Sequence, residues 1–112
     1  MKSIAEKRKA TLFPKQRITL QTLGENIKLA RKRRDFTQQL ISERTGLSRV
    51  TIRKIEKGDE GVSIGHYLMV LSALNLADEL ATIAQEDELG RKLQDAKLLT
   101  RKKSSASTNK EA

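Results

Sequence analysis

The stretch Thr37–Gly58, TQQLISERTGLSRVTIRKIEKG, decides the fold of this chain. Its pattern predicts two short helices joined by a tight turn. Thr37 and Ser48 are suited to cap the first and the second of these helices, because a hydroxyl oxygen accepts a hydrogen bond from an orphan backbone N–H. Gly46 lies between the helices, where a positive φ is expected. Gly58 follows the second helix and is typical of a residue that ends one.

The second predicted helix has an apolar back and a basic front. Ile52 and Ile55 are three residues apart and would face the interior. The other side chains would then face outward, and a short helix with a basic outer face suits the major groove of DNA. The outward-facing residues are Arg49, Val50, Arg53, Lys54 and Lys57.

Helical periodicity continues on both sides of this stretch. We predict a first helix over residues 22–34, a fourth that begins at Ser63, and a fifth over residues 77–85. The inward-facing residues would be Leu23, Ile27 and Ala30 on the first helix and Ile64, Tyr67, Leu68, Leu71 and Leu74 on the fourth.

Three acidic or amide residues are expected to have structural roles. Asp35 and Asn75 lie in predicted turns, and both residue types tolerate a left-handed backbone better than most. Glu56 lies on the helix with the basic face, and an acid that faced DNA phosphates would be repelled. We therefore predict that Glu56 pairs with a basic residue of the first helix.

A set of residues between positions 23 and 80 has the types and spacing of a known family. They are Leu23-Gly24, Ile27, Thr37-Gln38, Ile41, Gly46-Leu47-Ser48, Ile52, Ile55-Glu56, Gly58, Ser63-Ile64 and Leu74-Asn75-Leu76. Together they resemble the Cro/CI-type repressors, also called the XRE family of helix-turn-helix transcriptional regulators. The resemblance implies an all-α, five-helix, lambda-repressor-like domain over residues 19–86.

The same resemblance implies individual DNA contacts. Arginine and lysine favour guanine O6 and N7, and valine contacts a thymine methyl group. One such helix reads only a few base pairs, so useful specificity implies a homodimer on an inverted-repeat operator of double-stranded DNA. The implied base-reading residues are Arg49, Val50, Arg53 and Lys54, and the implied phosphate-binding residues are Gln38, Ser48, Thr51 and Lys57.

A second resemblance lies in the segment Glu88–Lys97, ELGRKLQDAK. It is similar to segments in regulators encoded beside Hip-type kinase toxins. The similarity implies the antitoxin of a toxin–antitoxin operon, which represses its own operon and binds a HipA-like kinase toxin. Three alternatives stay open: a generic helical extension that serves the dimer, a free-standing prophage-type or metabolic repressor, and a protein-binding adaptor built on the same helical module.

Composition points to a polyanionic partner. The 112 residues carry a formal net charge of +9, and a strongly basic chain favours nucleic acid. Residues 23–62 hold ten lysines and arginines and six acidic residues, whereas residues 63–90 hold five acidic residues and no lysine or arginine. This polarity predicts that one side of the domain meets DNA.

The sequence also argues against other classes of function. It contains no cysteine and one histidine, His66, and no cluster of residues suited to catalysis, a cofactor or a metal. We therefore expect no enzymatic activity. It has no membrane-spanning apolar run and no apolar signal segment, so we expect a cytoplasmic protein.

The two ends of the chain are expected to be tails. Residues 1–18 would form a flexible basic arm, because we expect Pro14 to break any helix there, and its cations, including Arg17, are candidate phosphate partners. Residues 16–21 have a weak strand pattern. Residues 87–99 would form a helical extension for a dimer or partner contact, and residues 100–112 a disordered basic tail.

Overall fold

The computed structural model describes the backbone of residues 9–108 and the side chains of residues 9–102. The described chain is all-α, as predicted, and contains no strand. It divides into two compact units, one that ends at Leu80 and one that begins at Ala81. The helices are α1 (Pro14–Arg33), α2 (Gln38–Thr45), α3 (Arg49–Glu56), α4 (Ile64–Ala73), α5 (Ala77–Ala81) and α6 (Glu88–Thr108).

Hydroxyl side chains set the starts of α2, α3 and α4. The Thr37 hydroxyl accepts a hydrogen bond from the Leu40 N–H at 3.0 Å. The Ser48 hydroxyl accepts from the Thr51 N–H at the start of α3, and the Ser63 hydroxyl accepts from the His66 N–H at the start of α4, both at 3.1 Å. Each bond satisfies a donor that the first turn of a helix leaves unpaired, so the predicted caps are confirmed.

Left-handed residues set the ends of the helices. Gly46 follows α2 with a φ of 78°, and Gly58 lies two residues after the end of α3 with a φ of 72°. Asp35 and Asn75 have φ values of 56° and 63° in the turns after α1 and α4. All four positions agree with the predictions from residue type.

The core of the first unit lies between α1, α2, α3 and α4. One prediction for α4 is wrong: Ile64 is 72% exposed and Leu68 is also exposed, whereas Val70 is buried. The buried residues of α4 follow the helical spacing that begins at Tyr67, and this spacing turns Val70 inward and Leu68 outward. The buried apolar residues are Ile27, Ala30, Ile41, Ile52, Ile55, Tyr67, Val70, Leu71 and Leu74.

Helix α1 begins eight residues earlier than we predicted, at Pro14 instead of Thr22. Proline at the first helical position is compatible with a helix, because the N–H that it lacks would have no intrahelical partner. The Phe13 N–H donates a hydrogen bond to the Gln16 side chain at 3.0 Å and completes this start. The expected helix break at Pro14 and the strand over residues 16–21 are therefore wrong, and residues 1–8 of the predicted arm lie outside the described residues.

Two glycines let α1 approach the C-terminal end of α3 closely. A Cβ on Gly24 would lie 2.5 Å from the Gly58 nitrogen and 2.6 Å from the Ile55 carbonyl oxygen. A Cβ on Gly58 would collide with the Leu20 carbonyl oxygen. Because backbone atoms have little freedom to move aside, this contact fixes where α3 lies against α1.

The second unit consists mainly of α6. Helix α5 ends at Ala81, earlier than the predicted residue 85, and Ala84 and Asp87 then take positive φ values of 69° and 37°. The Asp87 carboxylate accepts a hydrogen bond from the Gly90 N–H at 3.2 Å at the start of α6. The helix continues through residues 100–108, where we expected a disordered tail. Residues 91–108 contain no glycine or proline, and most are good helix formers.

Candidate nucleic-acid interface

Helix α3 turns its basic face to solvent, as its sequence predicts. Ile52 and Ile55 are fully buried, and the side chains on the other side of the helix are exposed. Val50 is among the large apolar side chains that remain exposed. The exposed face comprises Arg49, Val50, Arg53, Lys54 and Lys57, and we call it the basic face of α3.

The cations of this face have no partner within the described part of the chain. Arg17, Arg31 and Arg91 each bond to a carboxylate or a carbonyl oxygen, whereas no ion pair or hydrogen bond engages the four cationic side chains of α3. Their charges are therefore available to an external anion. A guanidinium group suits bidentate hydrogen bonds to a base edge or a phosphate.

The N-terminus of α3 adds hydroxyl groups beside these cations. Ser48 is exposed and Thr51 is half-buried, and their hydroxyl oxygens lie 3.1 Å apart. Both lie in the first turn, where unpaired N–H groups and the helix dipole favour a negative charge. This geometry is compatible with the phosphate-binding role predicted for both residues.

A buried ion pair supports α3 from behind. The Arg31 Nε donates to Glu56 Oε2 at 2.6 Å, and its Nη2 donates to Glu56 Oε1 at 3.1 Å. The two residues are only 8% and 6% exposed. The prediction that Glu56 pairs with a basic residue of the first helix is confirmed, and the partner is the first residue of the basic run Arg31–Arg34.

Gln38 and Phe36 complete this network. The Gln38 amide nitrogen donates to Glu56 Oε1 at 3.0 Å, and Arg31 Nη1 donates to the Phe36 carbonyl oxygen at 2.9 Å. The network therefore joins the end of α1, the start of α2 and the end of α3. Gln38, which we expected to bind a phosphate, uses one amide hydrogen internally and retains a second one.

The sequence contained a signal for the role of Arg31 that we did not use. Arg31 follows Ile27 by four residues and Ala30 by one, so helical spacing places it on the inward face. The run Arg31–Arg34 contains four cations at the C-terminal end of α1. The first of them is the buried partner of Glu56, and the other three remain exposed.

The turn between α2 and α3 is fixed by two hydroxyl side chains. The Ser42 hydroxyl donates to the Leu47 carbonyl oxygen at 2.6 Å, and the Leu47 N–H donates to the Thr45 hydroxyl at 3.1 Å. Leu47 thus has both of its backbone polar groups bonded. These bonds hold α3 at a set orientation to α2, as a helix that enters a groove requires.

The loop that follows α3 is held from two sides. Arg17 Nη1 lies 3.2 Å from each carboxylate oxygen of Glu60, so Arg17 is engaged within the chain and is not a free phosphate partner. The Tyr67 hydroxyl donates to the Asp59 carbonyl oxygen at 2.8 Å. Burial and the nearby carboxylates of Asp59 and Glu60 raise the pKa of Tyr67 to about 12.

The charge of Glu60 is also stabilised. A hydrogen bond from its own backbone N–H lowers the pKa of the Glu60 carboxyl, and the Arg17 guanidinium lowers it further. The Lys9 ammonium group lies 4.0 Å from Asp59 in the same loop. The acidic pair next to the basic face of α3 is thus matched by two cations from the N-terminal part of the chain.

Comparison with known families agrees with this geometry. The sequence profile of the helix-turn-helix family matches residues 27–79, which contain α2, α3 and α4. These residues therefore form a helix-turn-helix domain, and the match supports a DNA-binding regulator of transcription. No curated protein matches the sequence closely enough to count as a relative.

Among residues 9–108, no group of three or more histidine, cysteine or acidic side chains is placed to hold a metal ion. No helix in the described range is both long and apolar enough to span a bilayer.

Proposed function

We propose that the chain is a transcriptional repressor that binds an inverted-repeat operator as a homodimer. The observation that carries this proposal is the basic face of α3, which is exposed and has no partner in the described chain, while a buried ion pair fixes the helix behind it. A regulator that occupies its operator tightly can exclude other proteins from the same DNA.

The proposed contacts divide into two kinds. Base-edge contacts give sequence discrimination, and phosphate contacts give affinity that depends on salt. Gln38, Ser48 and Thr51 lie at the starts of α2 and α3, where unpaired N–H groups favour a phosphate. We assign base reading to Arg49, Val50, Arg53 and Lys54, and phosphate binding to Gln38, Ser48, Thr51 and Lys57.

The test is a binding measurement on the DNA upstream of the chain's own gene, compared with a scrambled duplex at one fixed salt concentration. In the double variant Arg49→Ala/Lys54→Ala, the discrimination between the duplexes should fall by about 1–3 kcal/mol for each lost base contact. Binding to the scrambled duplex should fall less, because other cations remain.

The matched control is Lys32→Ala/Arg33→Ala. It also removes one lysine and one arginine, both of them exposed, from the C-terminal end of α1. The control should weaken binding to both duplexes equally and leave the discrimination unchanged. Equal discrimination in the wild type and the α3 variant would remove the base-reading assignment and favour the protein-binding adaptor.

Dimeric binding has its own test. One α3 helix reads only a few base pairs, so two half-sites about one helical turn apart are expected. The wild-type chain should bind an inverted repeat far more tightly than a duplex that carries a single half-site. Equal affinities for the two duplexes would show that the chain binds as a monomer.

The resemblance of segment Glu88–Lys97 supports a narrower proposal, that this repressor is the antitoxin of a Hip-type operon. It would repress its own operon and bind the HipA-like kinase encoded beside it. A neighbouring kinase gene, and a stable complex between the two purified products, would support this role. The absence of both would favour a free-standing repressor.

A further inference from the structure

Helix α6 carries an apolar stripe that nothing in its own unit covers. Leu89, Leu93 and Leu99 are 69%, 61% and 66% exposed, and Ala96 lies between them on the same side. These four residues, spaced by four, three and three positions, form what we call the α6 stripe. It runs for about 15 Å along one face of the helix. Leu98 lies on the opposite face.

An uncovered stripe is unfavourable for a helix of this kind. Most of the stability of protein helices comes from packing an apolar face, and α6 buries no leucine. Burying a leucine side chain is among the larger favourable terms available to a small unit. A partner that covers the α6 stripe would therefore stabilise the helix itself.

The charges along α6 indicate the kind of partner. Residues 86–92 contain three acidic and two basic residues, and the two basic ones are engaged locally: Arg91 bonds to the Glu86 carbonyl oxygen at 2.7 Å and Lys92 pairs with Glu88 at 3.2 Å. Residues 96–102 contain three basic residues and no acidic one. Glu86 and Asp87 precede α6, and Glu88 is its first residue. Residues 86–92 thus carry a net charge of −1 and residues 96–102 a net charge of +3, so the two segments attract each other.

From this we infer that the α6 stripe binds the α6 stripe of a second copy of the chain, with the two helices antiparallel. An antiparallel pair places residues 86–92 of each copy, with Glu86, Asp87 and Glu88, beside the basic residues 96–102 of the other, and it also aligns the helix dipoles favourably. A parallel pair would place three cations against three cations. The inference rests on the proposed homodimer and assigns its interface and its direction.

The first test is the mass of the full chain in solution as a function of concentration, for the wild type and two variants. Leu93→Glu should weaken the dimer about a hundredfold or more, because it places two charges in the contact. Leu98→Glu makes the same substitution on the opposite face and should change the dissociation constant by about twofold at most. Circular dichroism checks that both variants keep their helical content.

The second test determines the direction of the helices. The chain contains no cysteine, so single cysteines introduced at Leu89 and Leu99 report only on the contact. An equimolar mixture of Leu89→Cys and Leu99→Cys should oxidise mainly to the mixed disulfide. Self-linked Leu89→Cys as the main product would show a parallel pair and would overturn the inference.

The outcomes separate this inference from the proposed function. A chain that is dimeric and prefers the inverted repeat, but whose mass is unchanged by Leu93→Glu, has its interface elsewhere; the inference then fails and the function stands. If Leu93→Glu leaves the mass unchanged but abolishes binding to the kinase, the α6 stripe binds the kinase and the inference also fails. A chain that stays monomeric and binds a half-site equally well contradicts both.

Discussion

At the scale of single residues, Glu56 fixes α3, which carries the basic face, to α1 and α2. Its carboxylate accepts hydrogen bonds from both Arg31 and Gln38. Glu56→Ala would leave the buried Arg31 guanidinium without its counter-charge, and breaking such a pair typically costs about 3–5 kcal/mol. We expect a loss of this size in the free energy of unfolding, measured by urea denaturation.

The control for Glu56 is Glu43→Ala. Glu43 is an exposed acid on α2 whose carboxylate accepts only from Gln39. This variant should change stability by no more than about 0.5 kcal/mol. A similar small change for Glu56→Ala would show that the ion pair does not support the domain.

Tyr67 provides a prediction for the pH dependence of stability. Its pKa is raised to about 12, so folding favours the neutral phenol. The stabilisation is complete below the ordinary tyrosine pKa near 10 and is lost as the pH rises from about 10 to about 12. Because the chain has one tyrosine and no tryptophan, phenolate absorbance reports Tyr67 alone.

The folded chain should therefore ionise its tyrosine near pH 12, and the chain unfolded in denaturant should do so near pH 10. Tyr67→Phe should also lose about 1 kcal/mol at neutral pH, since the Asp59 carbonyl oxygen loses its donor. Identical titration curves for folded and unfolded chains would contradict this account of the loop.

At the scale of the elements, the contact of α1 with α3 depends on Gly24. Alanine in place of a helical glycine usually stabilises a protein by up to about 1 kcal/mol. Here the added Cβ would lie within 2.9 Å of three backbone atoms of the α3 end. We expect Gly24→Ala to destabilise the domain by about 1–3 kcal/mol, measured by thermal unfolding.

Gly65 offers a matched control on α4. A Cβ there would meet only the Ser63 hydroxyl oxygen, at 3.7 Å. Gly65→Ala should therefore leave stability unchanged or raise it by up to about 1 kcal/mol. The contact argument fails if Gly24→Ala and Gly65→Ala have the same effect.

The sequence was most informative where local chemistry alone sets the structure. Each helix cap at Thr37, Ser48 and Ser63 is a hydrogen bond between a hydroxyl and the backbone N–H three residues later. Each left-handed turn depends on the residue type at one position. Both could be predicted from residue type. The inward face of α3 followed from the spacing of two isoleucines.

The rest depended on tertiary contacts that a single sequence does not specify. The additional residues 14–21 of α1 make contacts that are distant in sequence, since Leu20 packs against Gly58 and Arg17 bonds to Glu60. The buried face of α4 is set by which side meets the core, so the choice between Leu68 and Val70 could not be made from periodicity alone. The partner of Glu56 is an exception, because helical spacing from Ile27 distinguishes Arg31 from the three cations that follow it.

At the scale of the whole molecule, charge is distributed unevenly along the chain. The segment with the basic face of α3 has excess positive charge, and residues 63–90 have five acidic residues and no lysine or arginine. Each phosphate that the protein neutralises adds about 0.9 to the slope of log affinity against log salt. Lys57→Ala should therefore lower this slope by about 1 and weaken binding to every duplex equally.

The central claim is that the basic face of α3 reads the sequence of the operator. The most direct measurement compares Arg49→Ala with Lys57→Ala, both on this face, for affinity to the upstream duplex and to a scrambled duplex at one salt concentration. We predict that Arg49→Ala loses about 1–3 kcal/mol of discrimination, whereas Lys57→Ala loses affinity but keeps its discrimination. Unchanged discrimination in Arg49→Ala would contradict the claim.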